Sequence, residues 1–243
     1  MRNGDIDYRH SHIGRGRDYD EGIAADPLDS YLDRREQVAL LQILRQLRVG
    51  PATRILDFAC GTGRLTQVLD GVAGECYAVD ISESMVAVAR SKCARTTFFV
   101  GDASQTRLPI PLVDVVTAFR FFGNAQLELR RAALKIIAAH LREGGYLIAN
   151  NHRNPWAIRN QLARITGPHT RLDLSPRRFR ALLHECGFRI TCTYGIGLAL
   201  IRARWQQSIT QDSRIVERFD SLTKWGGLAQ LCPDMIVVAQ KLN

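Results

Sequence analysis

Hydrophobic residues recur in two alternating patterns along most of this chain. Residues 32–47 show helical spacing, carried by Val38, Leu41, Leu44 and Leu47. From residue 54 onward, short apolar runs predict buried strands at 55–59, 76–79, 97–100, 113–119, 146–149, 188–194 and 235–239. Helical patterns lie between them at 63–69, 83–90, 126–141 and 176–186. Strands that alternate with helices predict an α/β fold, with a parallel sheet covered by helices on both faces.

This alternation predicts a single domain over residues 32–243, in which we find no internal repeat and no low-complexity tract. Two stretches interrupt it, and we predict insertions there, at about 154–174 and 196–233. Both insertions follow the end of a strand at which open α/β sheets bind ligands. Residues 1–31 lack periodicity at their start and are predicted to form a mobile N-terminal segment or a lid.

A glycine-rich turn follows the first predicted strand. The sequence Arg-Ile-Leu-Asp-Phe-Ala-Cys-Gly-Thr-Gly-Arg-Leu-Thr runs from residue 54 to residue 66, and it places Asp57 near the strand's end, before Gly61 and Gly63. Glycines allow a ligand to approach the backbone closely, and the helix that follows offers free N–H groups. A carboxylate before the turn suits an ammonium group better than a pyrophosphate. The turn therefore favours a ligand that presents an ammonium group or a shell of hydrogen-bond donors to Asp57.

Two further carboxylates follow the next two predicted strands. Asp80 comes about 20 residues after the glycines, where an acidic side chain can accept both hydroxyls of a ribose. Asp102 follows the third strand, beside a backbone N–H, where it can bind the edge of an adenine. Because all three acids end successive strands, we expect them to meet at one edge of the sheet.

These motifs resemble those of the class I methyltransferases that depend on S-adenosylmethionine (SAM), most closely over residues 54–151. The resemblance implies a Rossmann-like sheet of seven strands, mostly parallel with the last strand antiparallel, and SAM as the cofactor. It implies that SAM is bound by Asp57, Ala59, Gly61, Gly63, Asp80, Ile81, Met85, Asp102, Ala103 and Phe119. The chain departs from the family at Ala59, where the family usually has glycine. Thr66 stands where a dinucleotide-binding enzyme would have its third glycine.

The residues after the fourth and fifth strands are candidates for binding the methyl acceptor. Phe121 or Phe122 can contact a sulfonium through a cation–π interaction, and His152 is the candidate general base. The predicted acceptor-binding residues are Arg120, Phe122, Asn124, Asn151 and Arg153. No metal site is predicted. A methyltransferase of the catechol type would need acidic residues after the fourth and fifth strands, where this chain has Arg120 and Asn150.

Charge is unevenly distributed along the chain and bears on the acceptor. The net charge is +9, and residues 152–243 contribute most of it, with 14 lysines and arginines against 6 aspartates and glutamates. Seven arginines between residues 153 and 180 favour a small acidic or phosphorylated acceptor over a neutral one. The same basic half leaves an RNA methyltransferase as an alternative. A non-catalytic SAM-binding partner protein and a nicotinamide oxidoreductase are further alternatives.

The remaining sequence features concern the cellular location of the protein, its cysteines and a lid over the cofactor. The N-terminus shows no secretory signal, and no apolar stretch approaches the ~20 residues that span a bilayer, so we expect a cytoplasmic protein. The six cysteines form no metal-ligand spacing. Tyr19 and Tyr31 are candidates for an N-terminal lid over the cofactor.

Overall fold

The computed structural model describes Tyr8 and residues 16–158, 160–161, 173–198 and 226–242. Most of the two predicted insertions, and the arginines at 159, 164 and 171, lie outside these residues. The account of the fold below concerns the described part of the chain.

Seven strands form one sheet, and its topology confirms the predicted fold class. The strands are β1 (Arg54–Phe58), β2 (Glu75–Asp80), β3 (Thr97–Val100), β4 (Val113–Ala118), β5 (Leu141–Asn151), β6 (Phe188–Ile196) and β7 (Asp234–Lys241). Their order across the sheet is β3-β2-β1-β4-β5-β7-β6. Strand β7 runs antiparallel to β5 and β6, whereas the pairs from β3 to β5 are parallel. The carboxyl ends of β1 to β5 therefore share one edge.

Helices cover both faces of this sheet. They are α1 (Gly16–Ala25), α2 (Pro27–Gln46), α3 (Thr66–Asp70), α4 (Glu83–Lys92), α5 (Leu127–His140) and α6 (Pro176–Glu185). Leu56 and Val116 pack in the apolar layer that contains α5 and α6. Their neighbours Ile55 and Val115 pack in the layer that contains α2. Because successive side chains point to opposite faces, strands buried on both sides carry continuous apolar runs.

The predicted ends of several elements differ from the observed ones. Helix α5 ends at His140, one residue before the predicted end, and β5 begins at Leu141 and includes Gly144 and Gly145. Leu141 pairs with Val113, and a register shift precedes the pairing of Tyr146, so both glycines lie inside the strand. Helix α1 has no counterpart in the predicted elements, and α2 begins at Pro27 rather than at residue 32. Proline at a first helical position is favourable because its missing N–H has no partner there anyway.

Candidate functional site

A cleft opens at the carboxyl edge of the sheet, over the ends of β1, β2, β3 and β4. Every residue predicted to bind SAM, except Gly63, lines it. Arg120, a predicted acceptor-binding residue, also lines it. The three aspartates predicted to meet at one edge therefore share a single cleft.

The turn after β1 is tied to the end of β2. The backbone N–H of Gly61 donates to Asp80 Oδ2 at 2.8 Å, and that of Cys60 donates to the Val79 carbonyl at 3.0 Å. Gly61 has φ +54°, a left-handed conformation that glycine adopts without strain. Gly63 has φ +76°, and a Cβ there would lie 2.8 Å from the Ala89 Cβ on α4. Gly63 thus permits close packing of the turn against α4 and is not a lining residue, which corrects its predicted role.

Ala59 also has a left-handed conformation, with φ +57°. A Cβ in that region costs roughly 1–2 kcal/mol, which a glycine would avoid. Glycine also gains ~0.4–1 kcal/mol of conformational freedom in the unfolded chain. We therefore expect Ala59→Gly to raise the free energy of unfolding by up to ~1 kcal/mol, or about 2–4 °C in thermal midpoint.

Thermal unfolding of Ala59→Gly measures this change, and Ala24→Gly is the control for a residue in ordinary helical conformation. Ala24 is an exposed residue of α1, where glycine should lower stability by ~1 kcal/mol. A midpoint that falls in Ala59→Gly as it does in Ala24→Gly would show that the left-handed conformation at residue 59 carries no strain.

Asp57 lies at the base of the cleft and is buried. Its two carboxylate oxygens accept hydrogen bonds from the hydroxyls of Thr66 at 2.6 Å and Thr117 at 2.7 Å. Burial raises the pKa of Asp57 to about 6, although the two hydroxyls favour its ionised form. Asp57 therefore changes charge close to neutral pH, and both hydroxyls fix the orientation of its carboxylate.

Asp80 and Asp102 are each held by the backbone that follows them. Asp80 Oδ1 accepts from the Ser82 N–H at 2.9 Å, and Asp102 Oδ1 accepts from the Ser104 N–H at 3.0 Å. The N–H of Gly101 donates to the Asp80 carbonyl at 2.9 Å, which ties the end of β3 to that of β2. Asp102 also accepts from the Ser104 hydroxyl and, at its Oδ2, from Gln105 Nε2 at 2.7 Å.

Apolar side chains form the walls of the cleft beside these acids. Ile81 and Met85 lie on the side of α4, and Leu129 and Phe121 also line the cleft. The acids and the apolar walls suit a nucleoside, which offers hydroxyls for carboxylates and a flat base for apolar packing. A Cβ at Gly101, another lining residue, would meet no atom within 4 Å, so open space adjoins the backbone there.

Two arginines line the cleft, and buried acids neutralise them. Glu36 on α2 is fully buried and pairs with Arg120 Nε at 3.1 Å and with Arg64 Nη2 at 2.6 Å. Burial alone would raise the pKa of Glu36, but the two arginines outweigh it and lower that pKa to about 2. Arg64 also pairs with Asp33. The guanidinium of Arg120 is therefore already paired, which weakens its predicted role in holding an acidic acceptor.

The other predicted acceptor-binding residues do not line the cleft. Phe122 is fully buried in the core against Phe179, with ring centroids 5.3 Å apart. Asn151 is also fully buried and donates to the Leu174 carbonyl at 2.6 Å. Asn124 and Arg153 lie together, because Arg153 Nη1 donates to Asn124 Oδ1 at 2.9 Å. Phe122 and Asn151 thus have structural contacts, whereas Asn124 and Arg153 form a polar pair behind the lining residues.

His152 lies beside that pair and outside the lining residues of the cleft. Its Nε2 is 3.4 Å from Asn124 Nδ2, and its Nδ1 is buried. Burial, together with the charge of Arg120, lowers the pKa of His152 to about 3. A base of that pKa accepts protons poorly at neutral pH. This placement contradicts the predicted general-base role.

Two tyrosines from the N-terminal segment line the cleft. Tyr19 was a predicted lid residue, whereas Tyr8 was not predicted, because no pattern surrounds it in the sequence. The Tyr8 ring packs edge-on against Phe121, with centroids 5.9 Å apart, and its hydroxyl donates to the Arg120 carbonyl at 3.2 Å. Tyr31, also predicted for the lid, is instead a residue of α2 whose side chain is buried in the core.

The sheet order and the cleft at its carboxyl edge define an α/β protein of the Rossmann-like class with a site for a nucleoside. Residues 55–145 match the family model described as a methyltransferase domain. The matched residues run from β1 into β5 and carry the three aspartates of the cleft.

Two curated relatives match part of the chain. The chain is 30% identical over 146 residues to a dTDP-3-amino-3,4,6-trideoxy-alpha-D-glucopyranose N,N-dimethyltransferase of Streptomyces venezuelae, covering 60% of this chain and 54% of the relative. It is 34% identical over 111 residues to a demethylmenaquinone methyltransferase of Mycobacterium bovis, covering 45% of each chain. The chain thus spans about half the length of these relatives.

A solved structure shares the fold over nearly the whole chain. Magnesium protoporphyrin IX methyltransferase from Synechocystis PCC 6803, solved with bound SAH, superposes with a TM-score of 0.68 at 18% identity. The superposition covers 96% of this chain and 97% of that one. At this identity the likeness concerns the fold.

The described residues were also compared with the requirements of a metal site and of a membrane-spanning helix. Among them, no three histidine, cysteine, aspartate or glutamate side chains gather as a metal-binding group. In the same part of the chain, no helix combines the length and the apolar content that a membrane crossing requires.

Proposed function

We propose that this protein transfers a methyl group from SAM to a small molecule. The observation that carries the proposal is the convergence of Asp57, Asp80 and Asp102 on one cleft at the carboxyl edge of the sheet. SAM supplies a methyl group already activated by its sulfonium. The task left to the protein is to hold donor and acceptor in line, at roughly 3–3.5 Å between the reacting atoms.

The lining residues suit the three parts of SAM. Asp80 would accept the two ribose hydroxyls, and Asp102 with the Ala103 backbone would bind the edge of the adenine. Ile81 and Met85 would pack on the faces of that base. Asp57, Ala59, Gly61 and the backbone of Phe119 would surround the methionine part, with the Asp57 carboxylate facing its ammonium group.

The N-terminal segment is proposed to act as a lid on this cleft. Tyr8 is fastened to the Arg120 carbonyl, as described above. In the middle of α1, Asp20 accepts a hydrogen bond from the Thr62 hydroxyl at 2.6 Å and pairs with Lys92 of α4. Tyr8 and Asp20 are thus each fastened beside the cleft, where a lid would exclude water from the reacting groups.

The acceptor is proposed to be a small anionic molecule, such as a carboxylate or a phosphate ester. The charge of Arg153 supports an anionic acceptor. Its guanidinium is bound by the neutral amide of Asn124, and within the described ranges no carboxylate lies at ion-pair distance from it. By contrast, Arg120 is paired with Glu36, and Arg130 is paired with Asp173 at 2.8 Å. Arg153 lies behind the lining residues, so its unneutralised charge would favour an anionic acceptor through the field it adds to this side of the cleft rather than by direct contact.

Methyl-labelled SAM tests this function in a fractionated cell extract. We expect label from the purified protein to enter the small-molecule fraction, and to be enriched in anionic compounds after ion exchange. Label in RNA, with binding that weakens steeply as salt rises, would establish the RNA alternative. Absence of transfer by a protein that binds SAM would favour the non-catalytic partner, and selective binding of NADH would favour the oxidoreductase.

Asp57 should make SAM binding depend on pH. Its pKa of about 6 means that the carboxylate that faces the ammonium is lost as pH falls through 6. We expect the dissociation constant of SAM to rise about tenfold from pH 7 to pH 5 in the wild type. Calorimetric titrations across this range measure the effect.

The variant Asp57→Asn supplies the control, because it cannot titrate. Its SAM affinity should be lower than that of the wild type at pH 7 and nearly constant across the same range. The free energy of unfolding of the SAM-free wild type should instead rise as pH falls from 7 to 5. The reason is that the pKa of Asp57 is raised above its unfolded value of ~3.9, so the folded form binds the proton more readily. A wild-type affinity that does not change with pH would remove Asp57 from the binding of the ammonium.

A further inference from the structure

The peptide group of Arg120 is hydrogen-bonded both to the buried core and to a residue that lines the cleft. Its N–H donates to Asn150 Oδ1 at 2.5 Å, and its carbonyl accepts from the Tyr8 hydroxyl at 3.2 Å and from Asn124 Nδ2 at 2.8 Å. Its guanidinium pairs with Glu36. One residue at the end of β4 is therefore held from both sides of its peptide and by its side chain.

Arg120 is also strained. Its φ of +55° places a non-glycine residue in the left-handed region, at a cost of roughly 1–2 kcal/mol. Such a conformation persists only where the surroundings enforce it, and it is frequent at functional sites. The hydrogen bond from the Arg120 N–H to Asn150 is the contact that fixes the orientation of this peptide.

Asn150 is itself held firmly at the end of β5. It is fully buried, and its Nδ2 donates to Glu36 Oε1 at 3.2 Å and to the Asp234 carboxylate at 3.0 Å. Its backbone pairs with Ile236 of β7. Asn150 therefore connects α2, β5 and β7 to the residue that follows β4, and its side-chain oxygen can point only toward Arg120.

We infer that Asn150 is a positioning residue for the SAM cleft: it holds the Arg120 peptide so that the Arg120 carbonyl receives the hydroxyl of Tyr8, a lining residue of the cleft. This inference rests on the proposed function. It concerns a residue that no sequence motif indicated, and it assigns a role to the buried polar cluster of Glu36, Asn150 and Asp234. Loss of the bond should weaken SAM binding through Tyr8 rather than through direct contact.

A double-mutant cycle between positions 150 and 8 tests the inference, with SAM affinity measured by calorimetry. Asn150→Ala should weaken SAM binding about tenfold in the wild-type background and less than about twofold in the Tyr8→Ala background. Equal losses in both backgrounds would show that Asn150 does not act through Tyr8 and would overturn the inference. Failure of the wild type to bind SAM would instead refute the proposed function.

Asn154→Ala is the matched control. Asn154 is also fully buried, and its side chain donates to the carbonyls of Gln230 at 2.7 Å and Cys232 at 2.8 Å, away from Arg120. It should lower the thermal midpoint and leave SAM affinity within about twofold of the wild type. A tenfold loss of affinity in this control would mean that general loosening of the fold explains the effect of Asn150→Ala, against the inference.

Thermal midpoints of variants at position 120 give a second test, which asks whether Asn150 acts on the Arg120 backbone. Glycine adopts the left-handed region without strain, whereas alanine does not, and both remove the guanidinium. Asn150→Ala should therefore lower the thermal midpoint less in the Arg120→Gly background than in the Arg120→Ala background. Equal losses in these two backgrounds would show that Asn150 does not hold the Arg120 backbone.

Discussion

Replacing Asp80 with alanine is expected to weaken SAM binding by about 10²–10³-fold. Two charge-assisted hydrogen bonds to ribose hydroxyls are worth roughly 1.5–3 kcal/mol each, and water replaces part of that loss. The substitution also removes the acceptors of the Gly61 and Ser82 N–H groups, so the turn after β1 loses its tie to β2. Calorimetric titration of the purified variant with SAM measures the change.

Asp80→Asn separates the two contributions. An asparagine oxygen can still accept the Gly61 N–H, although its amide nitrogen then faces the Ser82 N–H, and it carries no charge and leaves fewer acceptors for a diol. We expect this variant to have a higher thermal midpoint than Asp80→Ala and to bind SAM about tenfold more weakly than the wild type. Unchanged affinity in both variants would contradict the assignment of Asp80 to the ribose.

Replacing Glu36 with glutamine is expected to lower the free energy of unfolding by about 3 kcal/mol. Glu36 is a fully buried carboxylate paired with Arg64 and Arg120, and its lowered pKa keeps it ionised at ordinary pH. Removing the acid from a buried pair leaves its partners uncompensated, which costs about 3–5 kcal/mol. For a chain of this size the thermal midpoint should fall by roughly 6–12 °C.

The exposed pair of Arg131 and Glu185 offers the matched comparison. Their side chains lie 3.3 Å apart and are 53% and 55% exposed, so solvent screens their attraction. Glu185→Gln should change stability by less than about 0.5 kcal/mol. A similar midpoint for the variants at positions 36 and 185 would show that the buried cluster does not need the Glu36 charge.

The sheet and the cofactor side of the cleft could be predicted because their signals are local. The β1 strand, the glycine turn and Asp57 lie within about ten residues of one another, and the strand–helix alternation fixes which ends share an edge. Asp80 and Asp102 follow their own strands in the same way. Their common cleft thus required no knowledge of contacts between distant residues.

The acceptor side could not be predicted because distant pairs determine it. Glu36 and Arg120 are 84 residues apart, and Tyr8 and Arg120 are 112 apart. Asn150 and Asn151 at the end of β5 are buried, and their side chains bond to Glu36 of α2 and to the Leu174 carbonyl. The candidate base His152 follows them, and its lowered pKa depends on burial and on Arg120, which the sequence alone does not place near it.

A crystal structure of the protein grown with S-adenosylhomocysteine, the product of SAM-dependent methyl transfer, tests the central claim most directly. The account predicts density for the ligand across the carboxyl edge of the sheet, with both ribose hydroxyls within hydrogen-bond distance of Asp80 and the adenine between Ile81 and Met85. Density for the nucleoside elsewhere on the protein, or none in this cleft at saturating ligand, would contradict it.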